Sequence, residues 1–231
     1  MPSATAEAVR DAAVPPDGPR GLPGASVRRV ADVNVYSRDG QDWLSTSSVL
    51  KIMGLGRIPE HVPAAAIEYG RLRGAWVDEA VTLWIRAGRP PVGPYADALD
   101  AQLAAWREQD ARWRNFRVRP YLEAAAAWLA GAEEIETQVL VEQPAWRTFG
   151  WVDLRAPQAR GRMVADFKTS ARLTVAHRLQ VASYLGEDDR GVVVQLGKDG
   201  RPHPVEVTLV DVHVFATLAS LAHAWVAEQS R

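Results

Sequence analysis

Apolar and polar positions divide this chain into three stretches with different periods. Up to about residue 27, Ala, Pro, Gly and charged residues mix without any period, which predicts a disordered N-terminal arm. Residues 28–231 then read as a single domain, a length that favours one elaborated core over two small ones. Val33-Asn34-Val35-Tyr36 and Asp42-Trp43-Leu44 flank the turn residues Arg38-Asp39-Gly40 and predict a hairpin. Ser45 to Ser48 then cap a short helix ending near Gly54.

The middle stretch is helical. Ala66, Tyr69, Leu72, Trp76, Ala80 and Leu83 recur at steps of three and four and predict a helix over about Pro63 to Ala87. Further helices are expected over Tyr95 to Trp113 and Phe116 to Ala130, separated or kinked at Arg119-Pro120. The last stretch changes period: Ile135 to Val141, Phe149 to Leu154 and Met163 to Phe167 read as three strands of one sheet. A helix over Thr174 to Leu185, strands Gly191 to Leu196 and Pro204 to Leu209, and a final helix over Val212 to Glu228 complete the pattern. The fold class is α/β, a mixed central sheet flanked by helices with a helical N-terminal half.

Composition narrows the chemistry. There is no Cys, so disulfides, thiolate zinc sites, cysteine nucleophiles and cysteine-held iron–sulfur clusters are excluded. No apolar run approaches the roughly 18 to 20 residues of a membrane span, so a cytoplasmic protein without membrane contact is expected. A net charge of -1 argues against a basic, coating type of DNA binder but leaves local basic patches open. A phosphate-cradling Gly-rich loop, a Gly-x-Ser-x-Gly elbow and a His-Glu-x-x-His helix are all missing.

The candidate chemistry lies near the ends of two neighbouring strands. Hairpin pairing would bring Asp153 and Asp166 to one sheet edge, where two carboxylates offer hard oxygen ligands suited to Mg²⁺ or Mn²⁺. Lys168, two residues beyond Asp166, would share its face while Phe167 turns into the core. Its ammonium could orient or help deprotonate a water, or stabilise a phosphoryl transition state. Thr169 and Ser170 could donate to phosphate, and Gln180 and Tyr184, spaced i, i+4, share one helix face. Trp151 neighbours Asp153 and is a candidate to contact substrate, whereas the other Trp residues fall in apolar helical patterns that suit a core.

Taken in order, Arg73-Gly74, Gly150-Trp151-Val152-Asp153, Asp166-Phe167-Lys168-Thr169 and Gln180 to Tyr184 resemble the motif set of the RecB-type branch of the PD-(D/E)XK nucleases, which includes phage and mitochondrial exonucleases. The match covers roughly residues 70 to 185, and Leu44 to Leu50 looks like the lead-in of phage-type members. The resemblance implies a restriction-endonuclease-like fold. It also implies that Asp153, Asp166 and the Phe167 carbonyl hold a metal, that Lys168 acts in catalysis, and that Gln180 and Tyr184 support the site. Where the family carries a metal-binding His this chain has Asp78, an alternative oxygen ligand, with Glu79 beside it. Arg73 would contact phosphate or make a structural ion pair. The implied activity is a DNA exonuclease in phage-type recombination, replication or repair, with DNA as partner and a helicase, single-strand-binding protein or recombinase alongside. The competing expectations are a nucleic-acid- or protein-binding module that kept the fold and lost activity, and an RNA-directed nuclease.

Overall fold

The computed structural model describes residues 21–55, 61–109, 111 and 113–230. Its first strands, β1 (Ser26–Val30), β2 (Val33–Arg38) and β3 (Gln41–Ser45), form an antiparallel meander. Strand β1 has no counterpart in the apolar pattern, because only its last residue is buried and pairing with β2 defines it. The arm expected up to residue 27 lies outside the described residues over 1–20. Beyond that it is structured, since Leu22 is buried against Tyr36, Trp43 and Phe149.

Ser45 caps helix α1 (Thr46–Ile52) by accepting from the Ser48 N–H, as its position before the apolar run implies. Helix α2 (Ala64–Arg86) follows the expected bounds closely. The helix expected over Tyr95 to Trp113 is instead two, α3 (Val92–Gln102) and α4 (Ala104–Gln109), interrupted at Leu103. Phe116 belongs to no helix; it packs in a loop between Trp113 and Tyr121. Pro120 does not kink anything, because it sits in the first turn of α5 (Arg119–Trp128), where a missing N–H costs no intrahelical bond.

The second half supplies β4 (Glu136–Gln143), β5 (Thr148–Pro157), β6 (Arg162–Lys168), α6 (Val175–Ala182), β7 (Arg190–Leu196), β8 (Pro202–Glu206) and α7 (Leu209–Gln229). All eight strands join one mixed sheet in the order β1-β2-β3-β5-β6-β7-β8, with β4 pairing β5 off that path. β3 with β5 and β6 with β7 are parallel, and the remaining pairs are antiparallel. Helices α2, α3 and α5 share a core cluster with Leu154, Ala165, Phe167 and Val194. Helices α1, α6 and α7 pack with Val33, Val35 and Leu44 in a second cluster.

Strand β5 is where the sheet divides. β4 runs along one of its edges from Glu136 to Gln143. The opposite edge pairs with β3 at Thr148 and Phe149, then with β6 from Leu154 onward. Residues 150–153 therefore face the opening between two diverging neighbours. The alternation of faces also breaks here: Val152 packs with Val181 and Tyr184, whereas Leu154 and Ala156 belong to the cluster of α2 and α5.

Helix α7 amends the expectation that no segment is long and apolar enough for a bilayer, since by length and composition alone it is. Its placement gives it another role. Phe215, Ala219, Ala222 and Val226 are buried against the sheet and its neighbouring helices, while Leu209, Val210, Val214 and Leu221 are exposed. Its first turn is closed by Thr208 and Asp211, which exchange backbone and side-chain hydrogen bonds. Phe215→Ala removes a fully buried ring and is expected to cost about 3–5 kcal/mol in urea denaturation; a loss below about 1 kcal/mol would mean that α7 does not contribute to the cooperative core.

Candidate active site

The chemistry predicted from sequence gathers beside the division of β5. Asp153 lies at its last residue before pairing with β6 begins, and its Oδ2 accepts the backbone N–H of Phe167 at 2.7 Å. A side-chain carboxylate thus bridges the two strands at the point where backbone pairing starts. Extending the register from Leu154↔Ala165 puts Asp153 across from Asp166. Asp166 is 1% exposed and reaches toward α6, where Gln180 Nε2 donates to its Oδ1 at 3.2 Å. Lys168 follows on the same face and its ammonium is ion-paired with Asp166 Oδ2, while Phe167 turns into the opposite core against Trp128. The two-residue spacing in β6 and the helical position of Gln180 together produce this arrangement.

These groups line a cavity of about 620 Å³ that also takes in Asp78, Arg73, Thr169 and Ser170. Helix α2 brings Asp78 to the site, whereas Glu79 does not line it. Gln138 of β4 donates to both Asp78 oxygens, at 3.2 and 3.1 Å. It does so from a left-handed backbone, φ 55°, inside a strand. A non-glycine residue in that region costs on the order of 1–3 kcal/mol, and such strain tends to persist where surrounding structure overdetermines it. Gln138 is a site residue the sequence did not single out, because a Gln in an alternating strand carries no signature of its own.

The electrostatics follow from crowding. Burial, and then the Asp78 and Asp166 carboxylates, push the Asp153 carboxyl well above the usual range, against the opposing pull of Lys168 and the Phe167 N–H. For Lys168, burial alone would lower the ammonium, but Asp166 and Asp153 outweigh it and raise it. Tyr184 is pushed up to about 12 by burial and Asp166, with Gln180 and Thr46 hydrogen-bonding partly in the other direction. His177 also lines the cavity, and its Nδ1 accepts the Thr174 N–H at the start of α6. Burial and then the neighbouring Lys168 lower it.

Several motif residues act as supports. Arg73 donates to the Thr169 carbonyl at 3.0 Å, so its structural contact is with a backbone oxygen rather than an acid. Thr46, in the segment after β3, contacts the Phe149 carbonyl and Ser183, tying α1 to β5 and α6. A Cβ on Gly150 would lie 2.5 Å from Tyr184 Cε1, so glycine is what lets the ring fill the opening along β5. Trp151 is half-buried and does not line the cavity. Glu136 of β4 pairs with Arg155 and does not line the cavity.

Asp153, Asp166 and Asp78 are hard oxygen donors, and the burial and carboxylate repulsion that raise Asp153 are what a divalent cation would offset. The donor chemistry therefore fits Mg²⁺ or Mn²⁺. Among the described residues, however, no three His, Cys, Asp or Glu side chains already converge into a ready metal cluster.

No family model matches this chain, and no curated protein does. Among solved structures, one described as the crystal structure of SSO0001 aligns at TM-score 0.33 and 17% identity, covering 78% of this chain and 84% of that chain. A likeness of that size carries nothing over to this protein.

Gly150→Ala is expected to destabilise the protein by about 1–3 kcal/mol through the clash with Tyr184, and near-UV circular dichroism should report the displaced ring. Asp153 provides a pH test. Its carboxyl is raised in the folded state, so its contribution to stability is complete below the unfolded value of about 4 and is lost as pH rises through the folded value. In chelator at neutral pH, Asp153→Asn should be more stable than the wild type by on the order of 1 kcal/mol, with the gain vanishing near pH 4; a gain independent of pH would contradict the assignment.

Proposed function

We propose that this chain is a metal-dependent nuclease of the PD-(D/E)XK kind, hydrolysing phosphodiester bonds in DNA at ends or in single strands. The observation that carries the reading is the convergence of Asp153 and Asp166, at the end where the pairing of β5 with β6 begins, with Lys168 and Gln180 both engaging Asp166. Asp153 and Asp166 would hold Mg²⁺ or Mn²⁺, with Asp78 as the further carboxylate on the cavity and the Phe167 backbone beside them. Such a cation supplies an activated water and neutralises charge on the phosphate.

The protein's own groups set the geometry. Gln180 fixes the orientation of Asp166, and Gln138 holds Asp78. Lys168 is stabilised as an ammonium by the two aspartates, which suits it to stabilise charge on a phosphate oxygen rather than to remove a proton. Thr169 and Ser170 line the same cavity and carry hydroxyls able to meet phosphate oxygens. His177 and Gln180 also border a neighbouring cavity of about 770 Å³, so the recess continues past the carboxylates and suits a polymer strand better than a small ester. Setting the enzyme within recombination, replication or repair, beside a helicase, single-strand-binding protein or recombinase, belongs to the same proposal.

A second reading rests on Asp78. Both of its oxygens are engaged by Gln138, which fits a nucleic-acid-binding module that kept the fold without metal chemistry. Cleavage of end-labelled linear and circular DNA, with RNA in parallel, separates the two. Wild-type protein is expected to degrade linear DNA with Mn²⁺ or Mg²⁺, and Lys168→Ala to lower the rate at least ~100-fold. Binding without cleavage of any substrate would select the module, and preferential cleavage of RNA would replace DNA as the substrate.

A further inference from the structure

Beyond Arg73 lies a second recess. It is a cavity of about 260 Å³ lined by Tyr69 and Arg73 of α2, by Asn115 and Arg117 of the loop before α5, and by Lys198 of the β7–β8 turn, with Phe116 and Tyr121 beneath. Arg73 lines both this cavity and the one holding the carboxylates, so the two adjoin across a single side chain. The recess brings three cations together from three separate parts of the chain, and among the described residues no acidic side chain lines it.

The neighbouring guanidiniums are treated differently. Arg107 pairs with Asp100 and Arg119 with Asp97, each at 2.6 Å. Arg117 instead donates to the backbone carbonyls of Arg114 and Phe116, at 3.0 and 2.7 Å, which positions the group without neutralising it. Among the described residues neither Arg117 nor Lys198 is in an ion pair, and Arg73 Nε is buried without a hydrogen-bond partner. Gathering like charges with no counter-charge is unfavourable unless an anion completes the set. The aromatic floor gives that anion a dry wall rather than a competing carboxylate.

We propose that this recess is a phosphate subsite, holding a backbone phosphate of a single nucleic-acid strand next to the one placed at the carboxylates. The inference rests on the nuclease reading for the identity of the strand, and its chemistry is a phosphate monoanion held by Arg117, Lys198 and Arg73. The recess is too small for a whole nucleotide with its base, so it takes backbone and leaves the bases outside. It therefore contributes affinity and register without sequence readout.

The test uses the full chain and a fluorescently labelled single-stranded oligonucleotide, bound in chelator over a range of salt concentrations. The double variant Arg117→Ala/Lys198→Ala alters exposed side chains, so its melting temperature should match wild type. Its affinity should fall ~10-fold, and the slope of log K against log salt should become shallower by about 0.7 for each phosphate that the variant no longer neutralises. In cleavage assays KM should rise with kcat unchanged. Unchanged affinity and slope would overturn the proposal. So would inorganic phosphate binding as tightly as the strand, because the recess would then be a small-anion site. The two readings fail separately: Lys168-dependent cleavage with an unchanged salt slope removes the subsite alone, and a changed slope with no cleavage removes the nuclease alone.

Discussion

A β-strand has two edges, and in this protein one edge of β5 serves two partners. β3 takes its first residues and β6 its last, and between them the ladder is interrupted. Interrupted pairing leaves backbone groups in need of partners and space in need of filling. The Asp153 carboxylate, accepting the Phe167 N–H, closes the gap from one side, and the Tyr184 ring over Gly150 closes it from the other. The site depends on that division, because a continuous ladder would have turned Asp153 to a regular position and left no opening beside Asp166.

The same region concentrates unfavourable features. A left-handed Gln138, a glycine whose replacement by alanine would displace the Tyr184 ring, and carboxylates buried close together are each costly alone. Each persists because the two cores hold the elements carrying it. Phe167 is anchored in the cluster of α2 and α5, while α6 is anchored through Leu179 and Ala182 against α7 and the meander. Rigid cores on both sides of the sheet thus keep acidic groups closer than they would settle in solution. That is the state in which a cation, or the ammonium of Lys168, has most to offer.

Much of this was legible in the chain. Period-two alternation located β5 and β6, and with it the shared face of Asp166 and Lys168. The i, i+4 spacing placed Gln180 on α6, but the helix expected to run to Leu185 ends at Ala182, and Tyr184 sits in the turn beyond it with its ring over Gly150. Elsewhere pattern failed for physical reasons. The Ala-rich run after Tyr95 breaks at Leu103 without a Gly or Pro to signal it. Strand β1 has an exposed, non-alternating sequence and exists through its pairing with β2. Trp151, flagged by its proximity in sequence, does not line the cavity.

The sequence alone therefore determined the class of fold, the strands that carry the acids, and most of the polar residues that line the cavity, because periodicity and residue chemistry are local properties. Tertiary structure decided where β5 leaves β3 for β6, that Gln138 of β4 reaches Asp78 of α2, and that Arg117 and Lys198 line one recess with Arg73. Those juxtapositions join residues far apart in the chain. They are set by how two cores pack on one sheet, which no local pattern encodes.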